Sequence, residues 1–208
     1  MDMRERMKQP EPCVCRYFEM PHELQKKAKK LCWEYNQTSP DDGARRSQIL
    51  HELLGTCQPH TFIQPTFQCD YGFNIHVHGV MIMNHNCVIL DTSPVHIGHG
   101  AFIGPGTVLA CSGHSLLGDE RMEGIGTSAP ITLRDHVWLG ANVTVIGGVT
   151  IGEGSMVGAG SVVIRDIPAG VVAAGNPCRV IRPITEDDRL AHRIAGISSK
   201  GVKQNDRF

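Results

Sequence analysis

Residues 133–163 read LRDHVWLGANVTVIGGVTIGEGSMVGAGSVV, and an aliphatic residue returns at every sixth position: Leu133, Leu139, Val145, Ile151, Val157 and Val163. A helix brings side chains back to one face at steps of three and four, and a strand at steps of two, so neither explains this period. Recurrence at six marks a parallel β-helix, in which each unit is one short strand and a turn. Three units close a triangular coil, and the recurring aliphatics stack inside it. An earlier series, Val77, Met83, Ile89 and, after two extra residues, Ile97, Ile103 and Leu109, carries the pattern towards the N-terminus. Glycine often follows the anchor, as in Ile103-Gly104, Leu139-Gly140 and Val157-Gly158, where a corner calls for positive φ or close backbone approach. The expected fold is mainly β, a hexapeptide-repeat β-helix over 61–184.

The repeat breaks between Leu109 and Leu133. The segment from Gly113 to Gly124 has no anchors at the repeat's spacing, so a loop is expected to protrude there. Loops held on rigid scaffolds collect function, which makes this insertion the first place to look for chemistry.

Ahead of the coils, residues 1–60 read as a short helical cap. Leu24, Ala28, Leu31 and Cys32 recur at helical steps between Pro21 and Gln37, and Asn36 and Thr38 are expected to end that helix. Ser39-Pro40-Asp41-Asp42 offers an N-cap with a proline at the start of a second helix, and Gly55 offers its C-cap. Residues 185–208 read as a polar, helix-like tail.

The chain carries 20 basic and 21 acidic residues, a formal charge of −1, so it has no basic field to hold nucleic acid or an anionic membrane surface. Its eight cysteines are scattered without a C-x-x-C pair, which points to buried, reduced thiols rather than a disulfide or zinc framework. The charged start lacks the apolar core of a signal peptide, and no apolar run approaches the ~20 residues that span a bilayer. The expected location is the cytoplasm.

His114 lies inside the inserted loop. An imidazole with an unperturbed pKa near ~6.5 can take a proton from an attacking hydroxyl, so His114 is the candidate general base.

Further blocks carry a resemblance. Cys69-Asp70-Tyr71-Gly72-Phe73-Asn74-Ile75-His76, Met83-Asn84-His85-Asn86-Cys87-Val88-Ile89-Leu90-Asp91, Val137-Trp138-Leu139-Gly140 and Gly175-Asn176-Pro177-Cys178-Arg179-Val180-Ile181-Arg182 closely resemble the maltose and galactoside O-acetyltransferases. The likeness covers about residues 20–185, the helical cap included. It implies a left-handed β-helix, assembled as a homotrimer with active sites in clefts between subunits, that moves acetyl from acetyl-CoA to a sugar-like hydroxyl. His114 matches the family's catalytic histidine. Asp70 and Asn84 match acceptor-binding positions. For the donor, the resemblance implicates Gly140, Ala141, Ala159, Gly160 and Ser161 along the pantetheine arm, Trp138 beside them, and Arg165, Arg179 and Arg182 at the CoA phosphates, with the Ala141 N–H as oxyanion donor.

Two family features have no direct match. The carboxylate that orients the histidine should stand eleven or twelve residues later, where this chain has Ile125 and Gly126, and Glu123 is the nearest acid. The cap acid that holds the sugar in galactoside enzymes falls in Cys13-Val14-Cys15-Arg16-Tyr17. Three other readings stay open. The acceptor could be an antibiotic hydroxyl or serine. The β-helix could serve as a zinc hydratase using some of His76, His78, His85, His96 and His99, or as a noncatalytic scaffold. The acetyltransferase reading expects no metal.

Overall fold

The computed structural model describes residues 2–190, so the tail expected over 185–208 lies largely outside the described residues. Twelve recurring aliphatics decide the architecture, and each is at most 3% exposed. They stack in three columns set by strand register. Val77, Ile97, Leu133 and Ile151 lie side by side on the first face of the coil. Met83, Ile103, Leu139 and Val157 do so on the second, and Ile89, Leu109, Val145 and Val163 on the third. All of these pairings are parallel, and a continuous column of buried aliphatics, each worth roughly 1.5–3 kcal/mol of burial, is what holds successive coils together.

The outward residues of the same strands differ from face to face. The first face presents His76, His96, Thr132 and Thr150 in register. The second presents Phe62, Ile82, Phe102, Trp138, Met156 and Val172, an unbroken apolar column in which Phe102 is 50% and Trp138 53% exposed. The third presents Val88, Val108, Thr144 and Val162.

Helices His22–Gln37 and Gly43–Leu53 close the N-terminal end of the coils. The first buries Ala28, Leu31, Cys32 and Tyr35 and is capped at Thr38. Near its end, the Asn36 side chain donates to the Phe67 carbonyl (2.9 Å) and accepts from the Phe67 N–H (2.8 Å), satisfying backbone groups that the first coil leaves unpaired. The second helix departs from the sequence reading. Its N-cap is Asp42, whose carboxylate accepts from the Arg45 N–H, while Ser39 and Pro40 lie in the turn before it. Gly55 is not its C-cap, since Leu54 occupies that position. A Cβ at Gly55 would fall 2.0 Å from the Phe73 carbonyl oxygen, so this glycine serves close approach between cap and coil.

The N-terminal region is also more than helical. A strand, Cys13–Arg16, follows the short helix Met3–Met7 and leaves the cap to pair elsewhere. Among the described residues, no helix is long and apolar enough to cross a membrane.

Candidate functional site

The insertion is not an irregular loop. Ser112–His114 and Ile125–Ser128 run antiparallel, joined through the short helix Gly118–Met122, and Cys13–Arg16 adds to the outer edge of Ile125–Ser128. The result is a three-stranded antiparallel ribbon mounted on a parallel coil, and it places Cys15, Gly126 and His114 in one row. The turn beyond His114 is pinned at Ser115, whose hydroxyl donates to the Glu120 carboxylate and whose carbonyl accepts from Arg121 Nη1 at 2.7 Å.

Under this ribbon lies a pocket of about 210 Å³. His114, Asp70, Gln25, Thr92, Cys15 and Tyr17 are among the residues that line it. Asp70 arrives from the corner between the third and first faces, where Gln25 Nε2 of the cap helix donates to its Oδ1 at 3.1 Å. Burial raises the Asp70 pKa, and the Gln25 hydrogen bond partly offsets that.

Behind Asp70 stands a carboxylate that no motif announced. Asp91 is fully buried, and its Oδ1 accepts from the N–H groups of Asp70 (3.1 Å) and Tyr71 (2.8 Å) while Oδ2 accepts from Asn74 N–H (3.4 Å). It fixes the turn that carries Asp70 to the pocket. Burial pushes its pKa up to about 7, with the Asp70 charge adding to the rise and the N–H donors opposing it. The unfolded chain releases this proton near pH ~3.9, whereas the folded chain keeps it to about 7. Between these values the folded state binds the extra proton, so Asp91 makes stability fall as pH rises, by up to ~1.4 kcal/mol per unit. Thermal melts of wild type against Asp91→Asn should show the gap in midpoints changing across pH 4–7 and holding constant above it. A gap independent of pH would refute the assignment.

Not every nominated residue meets this pocket. Glu123 is exposed and caps the helix Gly118–Met122, and it does not line the pocket; the residue facing His114 across the ribbon is Gly126, which has no side chain to orient an imidazole. Asn84 sits at the corner between the second and third faces, where its Oδ1 accepts from the His85 N–H at 2.8 Å. Gly140, Ala141, Ala159 and Gly160 occupy the same corner two and three coils on, beside the exposed indole of Trp138. The two glycines serve different ends. A Cβ at Gly140 would lie 2.7 Å from Ala159 N, so its bareness lets coils touch, whereas Gly160 has φ +72° with open space above it. Ser161 is fully buried, its hydroxyl donating to the Gly158 carbonyl (2.5 Å) and accepting from Gly175 N–H (3.1 Å), which confines its side chain to the coil. Arg165 and Arg179 are exposed. Arg182 holds Asp188 through two 2.8 Å hydrogen bonds, a surface pair weak enough to exchange for a phosphate. Two groups thus stand on two corners of one chain: His114 with Asp70, and Asn84 with Gly140, Ala141, Ala159 and Gly160; Arg165 lies at a third-to-first corner, and Arg179 and Arg182 lie on the edge strand Cys178–Pro183.

The comparisons with known proteins match this geometry. The bacterial transferase hexapeptide model (six repeats) matches residues 130–165, and the maltose acetyltransferase hexapeptide capping motif matches residues 21–58. A putative acetyltransferase of Saccharomyces cerevisiae is 48% identical over 79% of this chain and 84% of its own length. A galactoside acetyltransferase in complex with coenzyme A superposes with a TM-score of 0.84 at 36% identity, covering 90% of this chain and 94% of that one. A hexapeptide-repeat acetyltransferase of Vibrio cholerae, complexed with acetyl-CoA, gives 0.82 at 34% identity over 89% and 100%. Six-residue repeats stacked in parallel coils and a helical cap occur together in this chain where the two family models match, and with these relatives they show that it belongs to the hexapeptide-repeat acetyltransferases with a maltose acetyltransferase-type cap.

Proposed function

We propose that the protein transfers the acetyl group of acetyl-CoA to a hydroxyl of a sugar-like acceptor, in a homotrimer whose sites lie between copies. The observation that carries this reading is the placement of His114 on the wall of a pocket that also holds the Asp70 carboxylate. The imidazole takes the acceptor's proton while the hydroxyl oxygen bonds to the thioester carbon. The C–S bond then breaks, and the thiolate of CoA recovers the proton from the imidazolium. Transfer is direct, without an acyl-enzyme. Asp70 hydrogen-bonds a second acceptor hydroxyl, and the Ala141 N–H receives the developing oxyanion.

Two features support the assembly. His114 and Asp70 stand on a different corner from Asn84, Gly140, Ala141, Ala159 and Gly160, so a second copy is needed to bring these two sets together. The second face also offers an apolar column of a kind that monomers rarely leave open.

The acceptor class is tested by thiol release from acetyl-CoA with sugars, serine and antibiotic alcohols. Sugar-dependent release is expected, with Asp70→Asn raising the sugar KM roughly tenfold through loss of a charged hydrogen bond. Release with serine or an antibiotic alone would overturn the sugar assignment and leave acetyl transfer standing, and no acceptor-dependent release would overturn both.

A further inference from the structure

The first face of the coil carries the polar column His76, His96, Thr132, Thr150, whose residues line none of the pocket around His114. Three imidazoles are packed there. His76 and His96 are cross-strand partners with ring centroids 5.0 Å apart, His78 lies 5.2 Å from His96, and all three rings are within 23° of parallel. His78 Nε2 and His96 Nδ1 are 3.0 Å apart. His76 is held from behind by Thr56, whose hydroxyl oxygen lies 3.0 Å from its Nδ1. The pair opens onto a cleft of about 410 Å³ that Thr132, Arg134 and Asp135 also line.

We infer that His78 and His96 form a chelating pair for a divalent first-row transition metal of the imidazole-preferring class. Two imidazole nitrogens, each about 2.0–2.1 Å from such an ion, stand about 3 Å apart when they occupy adjacent coordination positions. The observed separation already has that value. Binding moves the proton now between the two nitrogens to the far nitrogen of its own ring, and rotation of the two rings turns the freed lone pairs from each other toward the ion, with no change in charge. Among the described residues no group of three or more His, Cys, Asp or Glu converges on one metal position, so water or a small anion fills the remaining positions. Asp135 brings negative charge to the cleft, although its Oδ1 already accepts from the His99 N–H at 2.8 Å.

Rigidity favours the site, because the three histidines sit in or just beyond strands whose inward residues are core anchors, and stacking restricts the rings.

The test is equilibrium dialysis of the full-length, untagged protein against Ni(II). One ion per chain is expected, with affinity at least tenfold weaker in His78→Ala and in His96→Gln. His99→Ala should leave binding unchanged, although His99 and His136 form the other close ring pair on this side, at 5.7 Å. Saturating Ni(II) should raise the melting temperature of wild type and not that of His78→Ala, whose metal-free melt should match wild type and so exclude misfolding. The inference is overturned by failure to take up Ni(II), by uptake that survives both substitutions and so belongs to thiols, or by uptake that disappears with His99.

Discussion

Replacing His114 with alanine is expected to lower the kcat for acceptor-dependent CoA release by ~10²–10⁴-fold, the usual contribution of a positioned general base. The side chain is exposed at the inner edge of the ribbon, so its loss removes chemistry and leaves the core alone. The melting temperature should stay near that of wild type, as for most surface substitutions. CoA affinity should also persist, because Gly140, Ala141, Ala159 and Gly160, nominated to hold CoA, lie on another corner of the chain. Glu123→Gln is the informative companion. Its position off the pocket leads us to expect turnover within about twofold of wild type, since an exposed glutamate remote from the reacting atoms has little to supply. The check is steady-state thiol release together with CoA binding by calorimetry. Retained turnover in His114→Ala would move the base elsewhere, and a collapse in Glu123→Gln would mean that the ribbon rearranges when substrate binds.

Phe102→Asp should have an effect of similar size by another route. Phe102 stands between Ile82 and Trp138 in the apolar column of the second face. If that column is the contact between copies, the substitution places a carboxylate without a partner in each interface, at a cost of several kcal/mol per ion. Sedimentation should then show trimers for wild type and monomers for the variant. Activity should disappear even though His114 is untouched, because Asn84 and the CoA residues would no longer meet the neighbouring pocket. In the isolated chain the residue is half exposed, so the coil itself should still fold. A trimeric and active Phe102→Asp protein would require another face for assembly.

The coils were legible from sequence because each anchor meets the same surroundings six residues later, and all twelve proved buried. The site was legible only in part. His114 and Asp70, distant in sequence, line one pocket. Counting eleven or twelve residues on from His114 lands on Ile125 and Gly126, and hairpin register does place Gly126 opposite His114 and leaves Glu123, the nearest acid, in the turn beyond. Cys13–Arg16 escaped notice because four residues are too few to establish an alternating period. In retrospect, the half-buried Cys13 and Cys15 alternating with the exposed Val14 and Arg16 were its trace. Asp91 resembled any acid at a corner until its buried backbone partners appeared. Asp42 replaced Ser39 as N-cap because either oxygen can serve, and only the turn between them decides which does.

The pairing of Cys13–Arg16 with Ile125–Ser128 also sets an order in time. These two segments lie at opposite ends of the first two-thirds of the chain, and contacts between distant segments carry the largest loop-closure entropy. On the ribosome, the first strand made has no mate until residue 128 has emerged, by which point several coils are already available to stack. The wall of the pocket therefore has to wait for the coils that precede residue 128, and it is raised on a scaffold that is still being extended beyond it.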